Sequence, residues 1–586
     1  MTARRARALL GALLALLLSG CVGLHADPRI QPGLGVGPAD RDEVGFIPPG
    51  PQDGSSPEAV IRGFLRAAGV SGQGVAVART YLTQSLAASW NPEDRAVVTE
   101  EGIEAFLDQV ATDTYSLSGT LTGTVDAQGR YEPAASATRT TARINVTQVA
   151  GQWRISGLPD GFGRWLSKAA FRQLMTPYDF YYVGPDDALV PDVRYVATDK
   201  LATRLTRGEL GPAPAYLGGA VRTDLGPGVR LSVDAVPVEG GVAAIDLAAA
   251  HVSADPAARR RMWAQLVATV TQAPNVSSIA ITVEGAGLDL GGLNPPVSGI
   301  DALGFQETAA PVGVLPLLRL GRGLVPTDPG RIGQPDQGGI AEQPSAYPRI
   351  ERTFTELALA FMGEEVAAVA EGELARFRAS AGASVPNFGS NLTGPAYDRK
   401  GFLWVGGRMS GGRHDGAVWV VDSGIWPPAN APARRITASW LAGRRPVSIA
   451  IALDGARAAV ISTDDKGRDA RLDIAGIVRD DLGAPAGLAE SPLRLAPMLS
   501  TLRDVVWLSE SDVAVLGGET KQALRPYVVT LGQQVTPLPE VKGAERIVTL
   551  GGERRLFVRT ADELYMRAGG RWAEVGVGDD LVVPGR

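Results

Sequence analysis

The 586-residue chain has a single cysteine and three histidines. One thiol excludes a disulfide framework, a cysteine-based zinc site and CxxC redox chemistry. His25, His251 and His414 are scattered, which argues against a His-rich metal site. Long apolar runs are also missing: no segment reaches 18 uncharged apolar residues, whereas a spanning helix needs about 20. Neither sign of charge is in large excess, and a formal net charge of −6 provides no basic field for nucleic acid. The patterns GxxxxGK[ST], GxSxG, HExxH and GxGxxG are all absent, so the common nucleotide, hydrolase and metalloprotease chemistries have no signature. Asp464, Asp465 and Asp469 cluster in one loop, but their spacing does not match an EF-hand. Asp246 and His251 read as a strand-end pair rather than a catalytic dyad. The expectation is a non-enzymatic protein without metal or cofactor.

What is present is a composition typical of folded chains, 45% hydrophobic and 20% charged. At roughly 150 residues per domain the length suggests about four domains. The N-terminus carries the strongest local signal. Arg4, Arg5 and Arg7 form a positive start, Ala8 to Leu18 is an apolar run of signal-peptide length, and the run ends in Leu18-Ser19-Gly20-Cys21. This resembles the bacterial lipobox. The resemblance implies cleavage before Cys21, with S-diacylglyceryl and N-acyl groups on that residue; this covalent lipid is the one non-protein group expected. Two or more acyl chains hold firmly where one binds only marginally, so Cys21 would tether the rest to the extracytoplasmic face of the cell membrane. Removing residues 1–20 removes three Arg and leaves a formal charge of −9. Residues 26–54 hold six Pro and six Gly, a composition that reads as a stalk with residues 21–54 outside any core.

Three folded regions follow. Region one, 55–162, opens with Ser56-Pro57 as a helix start and a buried stripe of Val60, Ile61, Phe64, Leu65 and Ala68. After Tyr115 the period changes to two, with turns at 126–129 and 150–151, predicting a small α+β domain. Region two, 177–290, alternates strands and helices: strands at 179–183 and 189–196, a short helix capped by Asp199, strands at 229–236 and 242–247, a helix from Asp255-Pro256, and a last strand at 276–283. Trp263 continues the helical stripe of Met262, Leu266, Val267 and Val270. It and Tyr216 read either as core or as a partner-binding surface.

Region three, 297–586, contains a blurred repeat of apolar run, polar turn and apolar run. The turns fall near Arg322, Glu364, Lys400, Gly455, Ser511 and Glu553, 36 to 56 residues apart and averaging 46. That is the spacing of four-stranded propeller blades. Six turns favour six blades, with seven if one is too diverged to show. The segment 327–346 reads as an insertion or hinge.

The segments "TRLTRGELGP", "VRLSVDAVPVEGGVAAIDL" and "MWAQLVATVTQAPNVSSIAITVEG" make region two similar to the GerMN domain of extracytoplasmic and spore-associated lipoproteins. The full order of lipobox, stalk, α+β domain, GerMN-like domain and propeller resembles the LpqB lipoproteins of actinobacteria. That resemblance implies an accessory of the MtrB sensor histidine kinase, which pairs with the regulator MtrA. The accessory binds the kinase's extracytoplasmic domain and modulates signalling that controls envelope homeostasis and cell division. Two alternatives stand beside it. A solute- or cell-wall-glycan-binding lipoprotein would present Trp404, Trp419 and Trp426 in a surface pocket. A hydrolase would gather acids and His414 at the propeller mouth. The residues that would contact a partner are unknown from sequence.

Overall fold

The computed structural model describes residues 47–585 except 249–251, 254, 289, 291, 294, 309–312, 331, 333–346, 410–414, 520–523, 534 and 576–577. Cys21 and its lipobox, His25, His251, His414 and most of 327–346 therefore lie outside the described residues.

Ser56 begins the first helix, α1 (Pro57–Ala68), by accepting the Ala59 N–H on its hydroxyl, and Pro57 loses nothing in a first turn whose N–H groups have no helical partner. Val60, Ile61, Phe64, Leu65 and Ala68 are all buried, as the stripe predicts. Two short helices, α2 (Gln73–Thr80) and α3 (Gln84–Ser89), follow. The sheet behind them contains β1 (Ala96–Thr99), β2 (Phe106–Ala111), β3 (Thr114–Val125), β4 (Tyr131–Val149), β5 (Gln152–Gly157) and β6 (Arg164–Ser167), in the order β5-β4-β3-β1-β6 with β2 paired to β3. The turn at 126–129 forms because Asp126 accepts the N–H groups of Gln128 and Arg130.

This module is longer than the sequence pattern suggests at both ends. Residues 48–54, expected in the stalk, lie against it: Tyr81 donates to the Pro49 carbonyl and Gly54 N–H donates to Gln152. At the other end, β6 runs parallel to β1 and buries Trp165, and α4 (Lys168–Leu174) buries Phe171 and Leu174. A four-residue strand that pairs in parallel with residues nearly 70 positions away leaves no local period to read.

The second module starts with a hairpin, β7 (Met175–Val183) and β8 (Leu189–Ala197), and α5 (Leu201–Glu209). Asp199 does not cap α5. Lys200 stands at the N-cap with φ 51°, and Asp199 takes the Arg204 guanidinium 3.2 Å away. The sheet has β9 (Arg230–Leu231), β10 (Val238–Glu239), β11 (Val242–Ala248), β12 (Ser278–Val283) and β13 (Ala286–Gly287). The expected single strand at 229–236 is broken: only 230–231 and 238–239 pair with β11, and between them the chain leaves β11 after Ser232, where the Ala235 N–H turns back to the Val233 carbonyl. The helix α6 (Pro256–Val270) connects the parallel pair β11 and β12, and Asp255 caps it by accepting from the N–H groups of Ala257 and Ala258. Its stripe, with Trp263 fully buried, forms the core with Ile245, Ile279 and Ile281. That core runs on past residue 290, through Val297, Leu303 and Phe305.

Six sheets arranged in a ring complete the described chain. The first strands of blades two to six are Glu356–Leu359, the interrupted pair Gly389–Ser390 and Ala396–Tyr397, Arg445–Ile451, Thr501–Trp507 and Arg546–Thr549. Blade one is built differently. Its Leu317–Leu320 strand pairs with Gly323–Pro326 on one side and with Asp580–Val582, nearly the last residues of the chain, on the other. Apolar side chains then join each blade to the next, and Leu318, Leu581, Val548 and Phe557 close blade one onto blade six.

The predicted turns all exist, with one shift of role. Five of them connect the first and second strands of a blade, while that at Arg322 connects the second and third strands of blade one. The closing strand supplies what blade one lacks locally. Where it starts, Arg546 Nη1 lies 3.3 Å from Asp580 Oδ2 and its Nε 3.2 Å from Glu356 Oε2, while Arg559 Nη1 lies 3.1 Å from the same Asp580 oxygen.

Candidate functional site

The three modules meet around Pro191 and Asp192 on β8. Asp192 is buried, so its charge needs partners, and it has three: Arg194 at 2.7 Å, Arg130 of the first module at 3.4 Å, and the Tyr216 hydroxyl, which donates over 3.1 Å. Arg194 in turn donates to the Gly208 carbonyl and to the Tyr182 hydroxyl, with its guanidinium over the Phe180 ring at 4.6 Å. One residue earlier, the Pro191 carbonyl accepts from Arg457 of blade four over 3.2 Å. Arg457 is fully buried, bonded through two nitrogens to Asp454 at 2.9 and 2.6 Å, and its guanidinium lies 4.8 Å from the centre of the Trp507 ring. Gly129 is required at the first junction: with φ 83°, an added Cβ would stand 2.6 Å from the Tyr195 carbonyl oxygen.

Apolar packing follows the same route. Tyr182, Val190, Val193, Tyr216 and Leu217 of the second module share one core with Ala459, Ile461, Leu472, Val513 and Val529 of blades four and five. Gly476 permits this, since a Cβ there would meet Ala220 at 2.6 Å.

Beside this dense contact the two modules separate, leaving a cleft of about 900 Å³ over the axis of the ring. Its floor is formed where the first strands of the blades end and turn, by Tyr397, Ala450 to Asp454, Val506 to Glu510, Thr549 to Gly551 and Val583 to Gly585. Tyr181, Leu189 and the end of α6 at Val267, Ala268 and Thr271 form the roof. Gln306 to Thr308, in the connection between modules, form a side wall. At the other ends of these first strands, Arg546, Asp580 and Glu356 form a charged cluster.

The wall near Tyr181 is anionic. Burial raises the carboxyl pKa of Asp179 and of Glu510, and the Tyr181 phenol is pushed well up, first by burial and then by Asp179, Glu510 and Glu307. Asp454 is different: Arg457 and the Ala456 N–H occupy it. Elsewhere in the second module, burial pushes the Glu209 carboxyl up to about 7, although Thr269, Gln265 and the Tyr181 N–H all donate to it.

The residues singled out in the sequence are placed as follows. Trp263 is core and Tyr216 belongs to the module junction, so neither forms an open surface. Trp404 and Trp419 are buried within blade three, and Trp426 stacks against Arg376 and Arg378, so no aromatic pocket of these three exists. Asp246 accepts from Ser232, Thr282 and the Gly285 N–H, which lower its pKa. Asp464 turns inward on its own loop, and Asp465 and Asp469 pair with Arg408, Arg444 and Arg471. Among the described residues no group of three His, Cys, Asp or Glu side chains is placed to hold a metal ion, and no helix is long and apolar enough to cross a membrane. The cleft itself was not visible from sequence, because its lining comes from many separate segments of ordinary apolar and turn residues.

Residues 50–172 match the family described as Lipoprotein LpqB, N-terminal domain, and residues 330–584 match the Lipoprotein LpqB beta-propeller domain. The chain belongs to the LpqB lipoprotein family. Residues 179–289 match the Germane family, described as sporulation and spore germination, in agreement with the GerMN-like reading. Two relatives named Lipoprotein LpqB align almost end to end. That of Thermobifida fusca is 26% identical over 99% of both chains, and that of Cutibacterium acnes is 26% identical over 97% of this chain and 98% of the other. The LpqB of Mycolicibacterium smegmatis is 30% identical over 47% of this chain and 48% of its own. LpqB proteins are named as lipoproteins, not as an enzyme family. Among solved structures, a putative TolB from Agrobacterium tumefaciens is 13% identical over 38% of this chain and 80% of that chain, with a TM-score of 0.29. The blade assignment for this LpqB-family chain rests on its own strand pairing.

Proposed function

We propose that this LpqB-family chain is a lipid-anchored protein on the extracytoplasmic face of the cell membrane. In this reading it binds the extracytoplasmic domain of an MtrB-like sensor histidine kinase and modulates its signalling without catalysing a reaction. Cys21 carries the lipid, which is the only non-protein group. The observation that carries the reading is the junction at Pro191 and Asp192: three modules of kinds that commonly bind partners are joined through buried charge into a single body. An accessory that changes a kinase's output must transmit a contact, and modules fixed to one another do so better than modules on flexible joints. The tether supports it further. A linker that confines both partners to one membrane surface raises their effective concentration towards the millimolar range, about what a weak interface requires. The buried positions of Trp404 and Trp419 count against the glycan-binding alternative.

The experiment compares kinase autophosphorylation in vesicles with and without the lipidated protein at matched surface density. A changed rate, together with co-purification of kinase and lipoprotein from membranes, is expected. Equal rates and no co-purification would overturn the proposal.

A further inference from the structure

We infer that the cleft between the second module and the propeller is a small-molecule site for an apolar or aromatic compound carrying one cationic group, with the cation facing Glu510. The inference concerns the isolated protein and does not depend on the kinase reading.

Size is the first argument. A volume of about 900 Å³ lies at the upper end of the range of roughly 300–1,000 Å³ in which ligand sites fall, and such sites favour module interfaces. The void is not a sign of poor fit between the modules, because the same interface closes densely around Tyr182, Val190 and Tyr216 immediately beside it. What faces the space is chemically selective. Tyr181, Phe361, Trp507, Leu508 and Leu550 supply apolar and aromatic surface from both sides.

Charge is the second argument. Of the two propeller carboxylates on the floor, Asp454 is neutralised by Arg457, but Glu510 forms no ion pair among the described residues and accepts only the backbone N–H of Thr308. Glu307 lies on the same wall and Asp179 lies behind it, so the end of the cleft under Tyr181 is negative. The cation that acts on this end is Arg457, which is already paired with Asp454 and also favours the ionised form of Glu510; of the other cations, Arg399 sits 5.5 Å from the Phe361 ring centre, on the blade-three turn, and Arg555 lies on the blade-six turn. A ligand cation would place its charge against Glu510 and the face of Tyr181, an aromatic carboxylate environment suited to weakly hydrated ammonium groups. Its apolar body would cover Leu508 and Leu550. An anion of the same shape would meet Glu510 with like charge and without a donor.

The test uses the chain from residue 22 onward with two probes of matched body and opposite charge, n-octyltrimethylammonium and n-octyl sulfate, each below its micelle concentration. Titration calorimetry and quenching of tryptophan fluorescence, to which Trp507 contributes, report binding. The expected result is saturable binding of one ammonium probe per chain, with the sulfate weaker by about tenfold or more. Glu510→Gln should weaken the ammonium probe by about tenfold and tighten the sulfate, since it removes the like charge and adds an amide donor. Ala268→Trp, which places an indole in the roof, should abolish binding with the circular dichroism spectrum and melting temperature retained. Equal affinity for the two probes, unchanged ammonium affinity in Glu510→Gln, or no saturable binding of either probe would overturn the assignment.

Discussion

Replacing Arg457 with methionine keeps most of the side-chain volume and removes the charge that links blade four to the second module. The structure specifies what is lost. Asp454 remains at 1% side-chain exposure with only the Ala456 N–H as donor, and the carbonyls of Pro191 and Glu510 lose the N–H groups that reach them at 3.2 and 2.6 Å. Breaking a buried pair by removing one member costs about 3–5 kcal/mol, because the other charge stays in a poor solvent. A buried carbonyl left without a donor adds about 1–3 kcal/mol where water cannot enter. Arg457→Met should therefore destabilise the protein by about 5 kcal/mol or more. Adding Asp454→Asn removes the stranded charge but not the stranded carbonyls, so the double variant should recover about 2 kcal/mol. Urea unfolding at neutral pH, followed by tryptophan fluorescence and by circular dichroism, measures both. Trypsin digestion of the native variant should also show faster cleavage around the hairpin of β7 and β8. A single variant within about 1 kcal/mol of the parent, or a double variant no better than the single, would refute the buried-charge account of this junction.

Three further outcomes are expected. Asp580→Ala removes the carboxylate shared by Arg546 and Arg559 and should lower stability by about 3–5 kcal/mol, read as a lower melting temperature; an unchanged melting temperature would show that apolar contacts alone close the ring. Glu209 has a carboxyl pKa of about 7 in the folded protein, above its ordinary value of 4.5, so the folded state holds the proton more tightly. Its contribution is then most favourable below pH 4.5, is lost as pH rises from 4.5 to 7, and is constant above that; Glu209→Gln should flatten the urea midpoint across this window, and an identical pH slope would contradict the assignment. Cys21→Ala should abolish labelling by a tagged fatty acid, and undiminished label would remove the lipobox reading.

Local signals in the sequence were enough for much of this architecture. The Ser56 and Asp255 caps, the helical stripes and the blade turns all depend on residues within a few positions of one another, and each is where the pattern puts it. The failures share a cause. Strand β6 was missed because its partner β1 is far away, and the strand at 229–236 was overextended because the chain leaves β11 after Ser232, where the Ala235 N–H turns back to the Val233 carbonyl, and alternation alone does not show this. The make-up of blade one was not legible locally, because its inner strand comes from residues 580–582. The candidate cleft was invisible for the same reason in stronger form: Glu510, Leu550, Tyr181 and Ala268 become neighbours only when two modules dock. Charged residues such as Arg457 and Asp192 look like solvated surface in a sequence, and nothing near them announces that they will be buried together.

The placement of the final strand has a consequence for how the protein is made. Leu317–Leu320 is synthesised more than 250 residues before Asp580–Val582, its partner. Until Asp580–Val582 emerges, blade one holds a two-stranded hairpin with an open edge, a state that is marginal by itself and prone to foreign pairing. Ring assembly therefore waits on Asp580–Val582, a long-range closure of the kind that slows folding. A polypeptide that stopped before Asp580 would retain nearly every blade and still uncover Leu318 and Phe557, which pack against Leu581, so the last strand made decides whether the whole ring is sealed.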